Sequence, residues 1–123
     1  TMRLVLVVDD DPFFRDILTR LLGSRYRVAA AADAESGLRA CAAHSPDLLM
    51  LDLCLPDSDA LGLLDRLGAD GYGPPVVVFS AGRVEAPMRR ALEGRGVRQI
   101  LDKLSSPREF LAAAIGAAPP DGR

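Results

Sequence analysis

Short runs of wholly apolar residues alternate along this chain with longer segments of helical period, and that alternation limits the fold more than any other feature. Leu4–Val8 (LVLVV), residues 48–51 (LLML) and residues 76–79 (VVVF) are apolar at every position. A strand that is apolar on both faces must be covered on both faces. The segments between these runs carry apolar residues at helical spacing, as in Phe14, Ile17, Leu18, Leu21 and Leu22, so each connection reads as a helical crossover. Right-handed crossovers of that kind build a doubly wound parallel sheet.

Weaker signals complete the pattern. Arg27–Ala31 reads as a second strand and residues 99–101 as a brief fifth. Asp11-Pro12 opens a first helix, with Asp11 as cap, and Gly23 stops it. Asp33 caps a second helix running to about Ala43, with Leu38 and Cys41 inward. Helices are expected near residues 60–67 and 85–93, the latter with Pro87 in its first turn, and residues 68–75 (GADGYGPP) read as a turn-rich connection. Ser106-Pro107-Arg108-Glu109 is a capping box that starts a last helix through about Ile115. The expected fold is α/β: five parallel strands doubly wound with five helices. Residues 3–116 form one domain, and 117–123 form a flexible tail or the start of a linker.

Composition agrees with a single packed unit. The 123 residues are 49% hydrophobic and 26% charged, with a net charge of −2, so there is no basic footprint for nucleic acid. No run approaches the ~18 apolar residues of a membrane span, and no secretory signal is visible. Cys41 and Cys54 have no metal-ligand spacing, which with the lack of a disulfide framework suggests a reducing, cytoplasmic setting. His44, the single histidine, reads as a loop residue, so zinc is not expected. Thr1 ahead of Met2 suggests a segment cut from a longer protein.

In a parallel sheet the carboxyl ends of the strands share one edge, and sites form there. Asp9, Asp10 and Asp11 follow the first strand, Asp52 the third, Ser80 the fourth and Lys103 the fifth. Singly, each has a plain structural use as cap, turn residue or surface charge. Together, gathered carboxylates repel and require a cation, and Mg²⁺ takes oxygen ligands while leaving places for phosphate. A lysine and a serine beside them suit charge on a phosphoryl group in transfer. A carboxylate among them can act as nucleophile, forming an aspartyl-phosphate.

These residues also carry a family resemblance. LVLVVDDDP, then PDLLMLDLCLPDSDALGLL, then VVVFSA and a late lysine resemble the bacterial response-regulator receiver domain from about Arg3 to Ile115. The resemblance implies the strand order 2-1-3-4-5. It implies Asp52 as phosphoacceptor and Asp10, Asp52 and the Cys54 backbone carbonyl as Mg²⁺ ligands, with Asp9 acting through water. It further implies Ser80 and Lys103 as phosphoryl-binding groups and position 100 as the switch residue. The implied function is a phosphorylation-switched receiver of a two-component system, taking its phosphoryl group from a histidine kinase or phosphotransfer protein. Such a domain is not a turnover enzyme, but it catalyses its own phosphorylation and dephosphorylation.

Departures from the family fall mainly on the output side. Ala60 replaces a usual glycine. Leu104 replaces a proline whose peptide bond is often cis; before Leu104 a cis bond would cost about 3 kcal/mol, so trans is expected. Ile100 stands where a switching Tyr or Phe is usual, and the segment before Gly96 is longer by one residue than the family pattern. Three other readings stand beside the receiver: a degenerate receiver binding partners without phosphorylation, a small phosphatase of the haloacid-dehalogenase type using Asp9-x-Asp11, and a flavodoxin-like nucleotide binder. The last would need a phosphate loop where the chain has DDDPFF. The segment after Lys103 resembles receivers that precede a LuxR-type helix-turn-helix, which suggests an effector domain beyond this chain. A homodimer through the fourth helix, fifth strand and last helix stays open, although the last helix lacks the arginine that such dimers use.

Overall fold

A computed structural model describes residues 2–69 and 73–120. The strands are β1 (Leu4–Val8), β2 (Arg27–Ala31), β3 (Leu48–Asp52), β4 (Val76–Ser80) and β5 (Val97–Asp102). They alternate with α1 (Pro12–Leu22), α2 (Ala34–His44), α3 (Ala60–Ala69), α4 (Ala86–Glu93) and α5 (Pro107–Ala117). All pairings are parallel, in the order β2-β1-β3-β4-β5. The expected fold class and strand order are therefore both found.

The period of two along each central strand sorts its side chains onto two cores. Leu6, Val8, Leu49, Leu51, Val76 and Val78 pack with α2, α3 and α4, chiefly through Cys41, Leu63, Leu67 and Leu92. Val5, Val7, Leu48, Met50, Val77 and Phe79 pack with α1 and α5 through Leu18, Leu22, Phe110 and Ala113. Burying such side chains contributes about 1.5–3 kcal/mol each. Gly37 lets α2 lie close on β1, because a Cβ there would meet Val8 Cγ2 at 3.1 Å.

Several expected boundaries move. β5 runs from Val97 to Asp102, longer than the brief strand expected. Its register slips at the start: Val76 faces Val97 while Val77 faces Gln99, so Arg98 is an added residue in the ladder. Gly96, just before it, holds a φ of +86°, which favours glycine. α3 continues to Ala69, and part of the expected turn-rich connection lies outside the described residues. His44 is not in a loop: it is the exposed last residue of α2, which Ser45 then closes at a φ of 45°. Ile17 is 47% exposed rather than part of the core. The start of the expected flexible tail is also packed. Ala117 ends α5, buried Ala118 accepts a hydrogen bond from Tyr26 Oη at 2.6 Å, and Pro120 O accepts from Arg3 N at 3.1 Å. Residues 121–123 of that tail lie outside the described residues.

Candidate functional site

The central strands stay apolar until their carboxyl ends, where each turns polar at once. Asp9 follows Val8, Asp52 closes β3, Ser80 closes β4, and Lys103 follows Asp102 of β5. Parallel pairing lines these ends up, so residues from four separate stretches of the sequence, Asp9 to Lys103, meet on one edge.

Asp9 is fully buried and Asp52 nearly so, while Asp10 is exposed at the rim. One carboxylate oxygen from each lies within 4.8 Å of the others. Asp9 Oδ1 accepts from Asp11 N at 2.9 Å, and Arg15 Nη1 donates to the Asp9 carbonyl at 2.7 Å, which ties the acidic turn to α1. Asp52 Oδ1 accepts from Cys54 N at 3.2 Å. Lys103 Nζ stands between the two strands, 2.9 Å from Asp9 Oδ2 and 3.1 Å from Asp52 Oδ2. It also lies 5.0 Å from the centroid of Phe14 and 5.7 Å from that of Phe79, so two aromatic faces steady the ammonium from below.

Burial pushes the Asp9 carboxyl above the usual carboxylate value, and neighbouring Asp52 adds to that. The Asp11 amide and Lys103 pull it back only in part. Burial works against the Lys103 charge as well, yet close contact with the Asp9 and Asp52 carboxylates and their charge outweigh it and hold the ammonium above its ordinary value. Asp9 Oδ2 has this ion-pair partner but no hydrogen bond, although it is buried. Three carboxylates against one ammonium leave two formal negative charges. An oxygen donor set of that charge, with one oxygen short of a hydrogen bond, fits a hard divalent cation such as Mg²⁺.

The Ser80 hydroxyl is buried and turned into its own loop, accepting from Gly82 N at 3.2 Å. Its carbonyl accepts from Lys103 N at 2.9 Å, so the loops after β4 and β5 are tied together. Ile100 is half-buried and lines an open groove of about 550 Å³ with Arg83, Val84, Arg89 and Asp102.

Two departures from the family pattern find simple physical accommodation. Ala60 is buried among α2 and α3 residues with an ordinary negative φ, and its N–H donates to Leu53 O at 3.0 Å. The bond before Leu104 is trans, as expected, and Leu104 N donates to Asp102 Oδ1 at 2.7 Å, a bond proline could not make.

The structure thus brings together Asp9, Asp10, Asp52 and Lys103, with the Cys54 amide on Asp52 and Ser80 at the adjoining strand end. It leaves Asp11 out: that carboxylate caps α1 by accepting from Phe13 N at 2.9 Å. Sequence reasoning did not pick out Arg15, or Phe14 and Phe79 beneath the lysine. The two phenylalanines read as ordinary core residues, and no sequence signal marks them otherwise.

The response regulator receiver domain family matches residues 5–115 of this chain, and the chain belongs to that family. A protein-glutamate methylesterase/protein-glutamine glutaminase of Myxococcus xanthus is 37% identical over 102 residues, covering 80% of this chain and 29% of that protein. The transcriptional regulatory protein KdpE of Mycobacterium tuberculosis is 37% identical over 113 residues, covering 90% of this chain and 49% of its own length. The chain therefore spans half or less of these curated relatives. The receiver domain of a putative response regulator NarL from M. tuberculosis superposes with a TM-score of 0.82 at 26% identity, covering 93% of this chain and 94% of that structure. Among the described residues no helix is long and apolar enough to cross a membrane.

Proposed function

We propose that this receiver domain takes a phosphoryl group on Asp52 from the phosphohistidine of a histidine kinase or phosphotransfer protein. The observation that carries the reading is Lys103 Nζ held between Asp9 Oδ2 and Asp52 Oδ2, at 2.9 and 3.1 Å, on the edge where all the strand ends meet. An ammonium placed there offsets charge on an oxygen bound to Asp52.

The step is a displacement at phosphorus. A carboxylate oxygen of Asp52 forms the new P–O bond, the P–N bond of the donor breaks, and its electron pair leaves with the imidazole. Lys103 and the Ser80 hydroxyl bind the phosphoryl oxygens, the hydroxyl donating its proton while its oxygen accepts from Gly82 N. Asp10, Asp52 and the Cys54 carbonyl would hold Mg²⁺, with Asp9 acting through water, and the ion would supply positive charge against the phosphoryl oxygens. Hydrolysis of the acyl phosphate on the same edge returns the domain to its starting state, so the chain acts as a self-catalysed phosphoacceptor rather than a turnover enzyme.

The haloacid-dehalogenase alternative needs Asp9 and Asp11 together, and Asp11 is committed to capping α1. The complete set of converging side chains argues against a degenerate receiver, and Ile100 and Leu104 are the features that favour one. The effector attached to this domain, any dimer through α4, β5 and α5, and a cytoplasmic location rest on the family alone. The test is transfer from a phosphorylated histidine-containing donor. Label is expected to move to the wild-type chain in the presence of Mg²⁺ and not to Asp52→Asn. Equal labelling of that variant would place the nucleophile elsewhere.

A further inference from the structure

The loop between β3 and α3 carries the backbone groups next to Asp52, and its tip is tied to a helix from another part of the chain. Asp57 stands exposed at that tip. Its two carboxylate oxygens accept from the first two amides of α2, Ala34 N at 2.8 Å and Glu35 N at 3.0 Å. Asp33, the helix's own cap, takes the third, Ser36 N at 2.8 Å, and its carbonyl takes Gly37 N at 3.0 Å. The free donors at the start of α2 are thus shared between two acids, one local and one more than twenty residues away. Both Asp57 bonds are charge-assisted, the stronger kind. Neither the loop nor the start of α2 can shift alone without losing them.

The rest of the loop transmits that restraint over a short path. Ala60 N donates to Leu53 O at 3.0 Å, Leu55 N donates to Ser58 O at 3.1 Å, and Cys54 bridges to Asp59. Pro56 narrows the backbone freedom just before Asp57. Cys54, at the near end, donates its N–H to Asp52.

We propose that Asp57 is a positioning residue for the acid cluster: by anchoring the β3–α3 loop to the start of α2, it holds the Cys54 amide and carbonyl in place beside Asp52. This rests on the receiver-site reading given above, in which the Cys54 carbonyl is a metal ligand. Coupling between two sites is reciprocal, so occupancy of the acid cluster should in turn order the first turn of α2.

The test is Mg²⁺ titration of the full chain followed by backbone amide spectra, with thermal melts and amide exchange alongside. Asp57→Ala is expected to weaken Mg²⁺ binding about tenfold, the lower end for partners that orient a ligand without touching the ion. Asp57→Asn, which keeps an acceptor oxygen, is expected to fall between Asp57→Ala and wild type. Asp33→Ala is the control for helix stability alone: it should lower the melting temperature and leave Mg²⁺ affinity within about twofold, since the loop anchor survives. Mg²⁺ should slow exchange at Ala34 and Glu35 in wild type and not in Asp57→Ala. The proposal is overturned by wild-type Mg²⁺ affinity in Asp57→Ala, or by an equal loss in Asp33→Ala. Asp10→Asn separates the two levels: if it binds Mg²⁺ as wild type does, the site reading fails as well. If it loses Mg²⁺ while Asp57→Ala does not, the positioning role alone fails.

Discussion

Lys103 reaches back from the turn after β5 to two buried carboxylates, with Phe14 and Phe79 beneath its ammonium. Removing it would leave Asp9 and Asp52 buried beside each other without that counter-charge. In metal-free buffer Lys103→Ala is therefore expected to lose about 1–3 kcal/mol of stability. Part of that loss should return with Mg²⁺, which binds only the folded state. Urea unfolding with and without Mg²⁺ measures both; an unchanged midpoint would show that the lysine contributes nothing to the resting charge balance. The cysteines offer a second comparison at this scale. Cys41 is buried on the inner face of α2 and burial pushes its thiol up to about 11, while Cys54 is exposed. At neutral pH iodoacetamide should therefore alkylate Cys54 and spare Cys41. Burial favours the neutral thiol, so the stability linked to Cys41 is present below the ordinary thiol value of 9.0 and is lost as pH rises through about 11. Alkylation of both thiols in the folded protein at neutral pH would contradict that burial.

Among the elements, the strand ends were legible because a buried strand has no use for a polar side chain until it leaves the sheet. Asp9, Asp52 and Ser80 could be placed on one edge from that rule, and Lys103 from its position after the fifth strand, which already carries Arg98 and Gln99. Caps were legible for the same local reason, and the Ser106 capping box forms with both of its bonds. Long-range ties were not. Asp57 belongs to a turn by its sequence, and only the packing of β3 beside β1 brings it to α2. The bulge at Arg98 likewise depends on the partner strand. In the receiver reading proposed above, a relay from the site to the α4–β5–α5 face would run through this region. Ile100 is β-branched, with few rotamers open to it. It borders an open groove and lacks an aromatic ring that could swing into it. A ligand shifts an equilibrium only by its differential interaction with the two states. Beryllofluoride with Mg²⁺ should therefore move amide signals strongly around Asp52, Ser80 and Lys103, and weakly beyond Ile100. A full-sized response across α5 would show that the relay does not need the aromatic.

For the whole molecule, the unbroken apolar runs of β1, β3 and β4 were enough to foresee a sheet covered on both faces. The strand order came from the family resemblance, since hydrophobic pattern alone does not choose among right-handed windings. The far end of the domain was misjudged because a Pro- and Ala-rich segment carries no periodic signal. It is anchored by a buried bond from Tyr26 Oη to the Ala118 carbonyl, across 92 residues, and by Arg3 N on the Pro120 carbonyl. These features make a two-core scaffold whose polar chemistry lies along one edge, where Asp52 is proposed to take the phosphoryl group. The most direct measurement is incubation with acetyl phosphate and Mg²⁺, followed by intact mass and by borohydride reduction to mark the acyl phosphate in the peptide sequence. The expected result is one phosphoryl group per chain, acid-stable and base-labile, mapped to Asp52, dependent on Mg²⁺ and absent from Asp52→Asn. Equal labelling of that variant, or an adduct mapped to another carboxylate, would contradict the account.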